Sequence, residues 1–238
     1  MEVINLELVL ADMQVVAKRL TTIDRDVKRG DKEAVLLKSV LDKMLAHLEE
    51  GKFASKADLT PEELESFKTL QLITMKPMMY VLNRKSGGTN IKDERYTKLM
   101  DFFAAEKAVY TIVDARIEND LKDFEGEEKE MFRKELGTDD DGVNDLIKSG
   151  YKLLDVISYF TTGVEETRAW TIKRGWNAPM AGTAIHTDFK EKFIRAEVVF
   201  WKDLIDSGSY GVAREKGLVK TEGKEYIVKD GDVMEFRV

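Results

Sequence analysis

Two apolar stripes with heptad spacing constrain this chain more than any other feature. Leu6, Val9, Met13, Val16, Leu20, Ile23 and Val27 recur at alternating steps of three and four, and Ala34, Leu37, Leu41, Met44 and Leu48 repeat the pattern. Such spacing puts every member on one helical face and demands a second helix to cover it. Gly30 lies between the stripes, where a helix end tolerates positive φ, and Asp31 follows as a good N-cap. The pattern predicts an antiparallel coiled-coil hairpin over residues 1–59. Its first arm, about 26 residues, reaches roughly 39 Å. A hairpin of that length projects from a body and is not a compact domain by itself. Core packing accounts for the whole Leu and Met stripe, so no cofactor site is read from it.

Farther along, the periodicity changes. Thr60-Pro61 with Glu63 forms a capping-box start for a helix over 60–75. The apolar run Met78–Leu82 opens into Asn83-Arg84-Lys85-Ser86-Gly87-Gly88, and a second run, Val109–Val113, enters Asp114-Ala115-Arg116. Runs of this kind, separated by a helix over about 93–106, read as buried parallel strands of an α/β layer. Two parallel strands do not make a stable sheet alone, so the layer over 60–153 is expected to be partial. Its open edge predicts self-association. An acidic helical stretch (Glu125–Leu136) and a helix over about 142–153 follow. From 154 to 238 the texture is α+β. Strand-like runs at Val156–Thr162, Thr167–Lys173, Phe193–Phe200, Tyr226–Val228 and Val233–Val238 surround short helices, with turn glycines at Gly163, Gly175, Gly223 and Gly231.

Several chemistries are excluded by composition. The chain has 238 residues, no cysteine and two histidines, so thiolate sites and multi-histidine metal sites are ruled out. The lack of cysteine fits a reducing cytoplasm. No run approaches the roughly 18 apolar residues of a membrane span. No G-x-x-x-x-G-K-[ST], G-x-G-x-x-G, G-x-S-x-G or His-Glu-x-x-His motif occurs. Asp139-Asp140-Asp141 reads as a solvated loop. His186, beside Thr187 and Asp188, has no partner nucleophile and reads as a structural histidine. No catalytic constellation follows from the residues, and no metal site.

Net charge is −7, which argues against wholesale coating of nucleic acid. One segment departs from that balance. Lys18, Arg19, Arg25, Lys28, Arg29 and Lys32 face only Asp24, Asp26 and Asp31. They read either as a solvated helix surface or as a basic tip that meets phosphate.

The most specific blocks come late. They are Tyr159-Phe160-Thr161-Thr162-Gly163, Glu166-Thr167-Arg168-Ala169-Trp170-Thr171-Ile172, Ile185-His186-Thr187-Asp188-Phe189, Phe193-Ile194-Arg195-Ala196-Glu197-Val198 and Tyr226-Ile227-Val228-Lys229-Asp230-Gly231-Asp232-Val233. Together with the hairpin and the strand ending in an Asn loop, they resemble the C-terminal portion of the YchF, or Obg-like ATPase, family. The start Glu2-Val3-Ile4-Asn5-Leu6-Glu7-Leu8 is similar to that family's entry into its coiled coil. The resemblance implies a C-terminal TGS domain of β-grasp fold at 154–238 and a partial P-loop NTPase layer at 60–153. It also implies ribosome association, and ATP preferred over GTP with Mg²⁺ in the intact family. The family's phosphate loop, switches and Mg²⁺ ligands have no counterpart in this chain. No cofactor is therefore expected for the chain alone, and it is expected to act as a ribosome-, RNA- or protein-binding module. The alternative is a fragment of an active ATPase whose P-loop lies upstream or on another chain. Asn83 matches the first position of the family's base-contacting N-x-x-E loop, Arg84 the next, and Ser86 replaces its acidic fourth position, which weakens base selectivity. Ala115 matches the second base-side loop. Glu118 and Asp120 also match family positions, without an assigned role.

Overall fold

The computed structural model describes residues 2–84, 94–136, 142–163 and 166–238. Ser86 and the Asp139–Asp141 run lie outside the described residues. Two compact units are present, Met1–Met78 and Met79–Val238.

In the first unit, α1 (Glu2–Lys28) and α2 (Lys32–Glu49) pack together as a hairpin. Gly30 takes φ 81° at the turn. The Asp31 carboxylate accepts the Glu33 and Ala34 N–H groups at 2.9 and 3.5 Å, so it satisfies two of the unpaired donors of α2. Val9, Val16 and Ile23 of α1 are buried against Ala34, Leu41, Met44 and Leu48 of α2. Leu6, the first member of the expected seam, is 50% exposed. The shorter α2 does not reach the first turns of α1.

The helix expected over 60–75 is broken. Its start forms as predicted, with the Thr60 hydroxyl and Glu63 carboxylate capping each other's backbone N–H. But α3 (Pro61–Phe67) stops after seven residues, and 3-10 turns follow at Lys68–Leu70 and Ile73–Met75. The cause is Asp12, a buried carboxylate on the inner face of α1. It accepts the Ile73 N–H at 2.8 Å, the Thr74 N–H at 2.7 Å and the Thr74 hydroxyl at 2.6 Å. Thr74 Oγ1 in turn accepts the Ala54 N–H at 2.9 Å. Donors that a continuous helix would have used are spent on this carboxylate, and the bend carries Leu72 into the hairpin core beside Phe67. The compact unit therefore runs to Met78, past the division at residue 59 suggested by the sequence.

The second unit opens with β1 (Met79–Asn83), α4 (Glu94–Glu106) and β2 (Val109–Val113). It continues with α5 (Ala115–Asp120), α6 (Gly126–Glu135) and α7 (Gly142–Leu154). Among the described residues β1 and β2 form a two-stranded parallel sheet, from Met79↔Val109 to Asn83↔Val113. Phe103 of α4 stacks on Tyr110 at 4.8 Å and lies 5.1 Å from Tyr80. α5 is an element the sequence did not reveal, because its six residues are too few to show periodicity.

Next come β3 (Val156–Thr162), β4 (Thr167–Lys173), α8 (Ala178–Gly182), α9 (Phe189–Lys192) and β5 (Arg195–Phe200). The chain ends with α10 (Trp201–Ser207), α11 (Tyr210–Glu215), β6 (Lys220–Glu222) and β7 (Asp232–Arg237). The sheet order is β4-β3-β7-β5-β6, with β3 and β7 parallel and the other neighbours antiparallel. Period-two alternation splits its side chains between two cores. Ile157, Tyr159, Ala196, Val198 and Met234 meet Ala178 and Ala181 of α8, while Val199 and Val233 meet Ala213 of α11. The strand expected at Tyr226–Val228 is absent; only an Asn177↔Ile227 bridge forms there. The Asp232 carboxylate takes the Tyr226 hydroxyl and the Lys229 N–H, both at 2.8 Å, and folds the segment into a loop. Gly231 (φ 88°) lies under two rings, where a Cβ would come within 2.6 Å of Trp201. Among the described residues no helix is long and apolar enough to cross a membrane.

Replacing Asp12 with Ala strands the Ile73 and Thr74 N–H groups in the core of the first unit. Urea unfolding should show a loss of about 3 kcal/mol, and Asp12→Asn, which keeps one acceptor, should lose less.

Candidate functional site

Parallel strands bring their carboxyl ends to one edge, the edge where α/β layers place ligands. Here that edge joins two residues 32 positions apart. Asn83 closes β1, Ala115 opens α5, and the Ala115 N–H donates to Asn83 Oδ1 at 3.2 Å. Because an N–H needs an acceptor, this bond fixes the amide: the oxygen faces Ala115, and Nδ2 has no partner among the described residues. The Arg84 N–H donates to the Val113 carbonyl at 2.8 Å, extending the ladder one residue beyond β1. Asp114 caps α5 by accepting the Ile117 N–H at 3.1 Å. An amide donor at such an edge can pair with a ring-nitrogen acceptor of a base. The chain carries no phosphate-loop motif, and among the described residues no three His, Asp or Glu side chains converge on a metal position.

Behind Ala115 sits a buried ion pair. Arg133 of α6 reaches Glu118 of α5 through Nη1–Oε1 at 2.6 Å and Nη2–Oε2 at 3.4 Å, and both side chains are only 10% exposed. Gly142, the first residue of α7, lies so close that a Cβ would stand 2.8 Å from Glu118 Oε1. The pair thus ties α5 to α6, and α7 starts against Glu118, which braces the helix that Ala115 opens. Glu118 thereby acquires a positioning role. Arg133 carried no sequence signal, since its partner is fifteen residues away on another helix.

The hairpin turn gathers the basic residues. Lys18, Arg25, Lys28, Arg29 and Lys32 are exposed and Arg19 is half-buried. Arg19 donates to Thr22 Oγ1, and Arg29 pairs with Asp26 at 3.5 Å. Asp24 is shared with Lys38, and Asp31 is occupied as the cap of α2. Among the described residues Lys18, Arg25, Lys28 and Lys32 have no ion-pair partner. The acids of this segment are largely engaged, while four of its cations remain open to an anionic surface. His186 is a local turn residue whose Nδ1 accepts the Asp188 N–H at 3.2 Å. Lys192 beside Asp188 holds that carboxyl below the usual range.

Residues 156–238 match the YchF-GTPase_C family, described as a protein of unknown function, DUF933. The chain is 43% identical to the ribosome-binding ATPase YchF of Bacillus subtilis, over 99% of its own length and 65% of that protein. It is 40% identical to the protein of the same name from Escherichia coli O157:H7, covering 99% of the chain and 64% of the relative. Among solved structures it matches the Schizosaccharomyces pombe YchF GTPase at TM-score 0.80 and 29% identity, covering 99% of the chain and 64% of that protein. The chain thus spans somewhat under two-thirds of these relatives.

Asn83→Ala should free the Ala115 amide. Its hydrogen exchange is expected to quicken by about tenfold, the equivalent of one net hydrogen bond, whereas Asn83→Asp keeps the acceptor and should not. Glu118→Ala leaves Arg133 buried without its carboxylate and should cost the second unit about 3 kcal/mol in denaturant melts.

Proposed function

The chain belongs to the YchF family, and on that premise we propose that it is a docking module that engages the ribosome, or RNA, through the basic turn of its hairpin. The observation that carries this reading is the set of open cations at Lys18, Arg25, Lys28 and Lys32 in a chain of net charge −7. Phosphate contacts are made by such unpaired Lys and Arg groups and weaken steeply with salt. In this reading the hairpin is the family's coiled coil and residues 156–238 are its TGS β-grasp domain. The partial nucleotide-binding layer starts at Met79. The chain works in the cytoplasm and turns over no nucleotide by itself.

A second reading has specific support in the Asn83–Ala115 juxtaposition. The chain would then supply the base-side edge of an ATPase, with Asn83, Arg84 and Ala115 at the base. The phosphate loop and Mg²⁺ ligands would come from polypeptide outside this sequence. Phosphate and metal contacts dominate nucleotide affinity. A base edge alone offers too little to offset an association cost of roughly 4–15 kcal/mol.

Co-sedimentation with ribosomes at low salt should be clear, should fall as salt rises, and should be lost in the triple variant Arg25→Glu, Lys28→Glu, Arg29→Glu. Absence of binding at low salt, or full binding by the triple variant, rejects docking through the turn. For the second reading, the chain mixed with a phosphate-loop fragment of the Bacillus subtilis relative should hydrolyse ATP; no turnover in that mixture rejects it.

A further inference from the structure

Between α7 and the strands β3 and β4 lies a groove of about 860 Å³, lined by Ile147, Lys148, Tyr151, Lys152, Val156 and Arg174 with other residues. At one end of it the α/β body and the five-stranded sheet are joined by a single residue. α7 ends at Leu154 and β3 begins at Val156. Asp155 between them takes φ 51°, a left-handed conformation that side chains other than Asn and Asp seldom adopt. Arg174 ties back onto it, its N–H donating to the Asp155 carbonyl at 2.9 Å and its Nε to Asp155 Oδ1 at 3.1 Å. Farther along the groove the Tyr151 hydroxyl bonds Thr171 Oγ1 at 3.2 Å. Bonding to Thr171, and next to Ser158, holds that hydroxyl below the usual tyrosine range.

These ties face solvent. The Arg174 and Asp155 side chains are 59% and 72% exposed, and exposed ion pairs contribute little. Apolar adhesion is also thin. Ile147 and Leu154 of α7 are 51% and 56% exposed. Among the described residues, the two buried clusters of the sheet draw no member from residues 79–154. Bodies joined by small polar seams move relative to each other unless a large apolar interface stops them.

We infer that Asp155 is a hinge and the Tyr151–Thr171 bond its clasp, so that residues 156–238 swing against the α/β body and open or close the groove. The swing changes the angle between the sheet and the edge bearing Asn83 and Ala115. A partner that grips the sheet and prefers one angle shifts that equilibrium.

The chain has no cysteine, which makes paired labelling direct. Glu130→Cys on α6 and Glu215→Cys on α11 carry two spin labels for electron–electron double resonance. The labelled parent should show more than one interspin distance. Tyr151→Phe should raise the minor population by about threefold or more, the equivalent of losing one exposed hydrogen bond, with an unchanged circular-dichroism spectrum. Asp155→Gly, which eases the left-handed requirement and removes the ion pair, should broaden the distribution. A single narrow distance, identical in the parent and in both variants, overturns the hinge. Asp155→Gly decides the matter alone if Tyr151→Phe does not fold.

Discussion

Mutual burial of the α1 and α2 seams is the constraint on which the first unit depends. A helix of this length is marginal in water unless its apolar face is covered, and here each helix covers the other through Val9, Val16, Ile23, Leu41, Met44 and Leu48. Asp12 adds directionality. Its carboxylate binds three donors from residues 73–74, which seats the following segment along α1 and ends α3 early. At the turn, Lys18, Arg25, Lys28 and Lys32 take no part in that core and stay exposed. A basic turn on a short or frayed hairpin would have no fixed geometry to present to phosphate.

The α/β part follows a different logic. In-register parallel pairing of β1 and β2 makes Asn83 and Val113 end together, so Asn83 and Ala115 meet without any local sequence connection. The Glu118–Arg133 pair then steadies α5 from behind. Pairing, hydrogen bond and ion pair all converge on this one edge. The Asn83 amide is oriented by the backbone N–H of Ala115, and that N–H is thereby engaged. Among the described residues no comparable arrangement is present for phosphate, and the catalytic reading therefore calls on polypeptide outside this sequence.

Much of this was legible in the sequence, for physical reasons. The hairpin, its Gly30-Asp31 turn and the two parallel strands are encoded by local periodicity and caps. So are β3 and β4, whose expected bounds match those observed. What could not be read depends on contacts between distant residues. Asp12 stops α3 from sixty residues away. Arg133 selects Glu118 from another helix. Asp232 ties Tyr226 and Lys229 into a loop in place of the strand expected at Tyr226–Val228. β6 is three residues long and exists only because β5 offers it an edge. At the base edge, the sequence suggested Asn83 and Ala115 through resemblance, but their mutual hydrogen bond needs the register of the sheet.

Both readings of the chain rest on one point, that its own residues do not hold a triphosphate unaided. Equilibrium dialysis of the purified, mass-verified chain against labelled ATP, with and without magnesium, addresses it directly. If the chain works by contact with partners, no magnesium-dependent retention will be seen. Tight retention that requires magnesium would contradict that view and would mean that phosphate is gripped by residues not recognised as such.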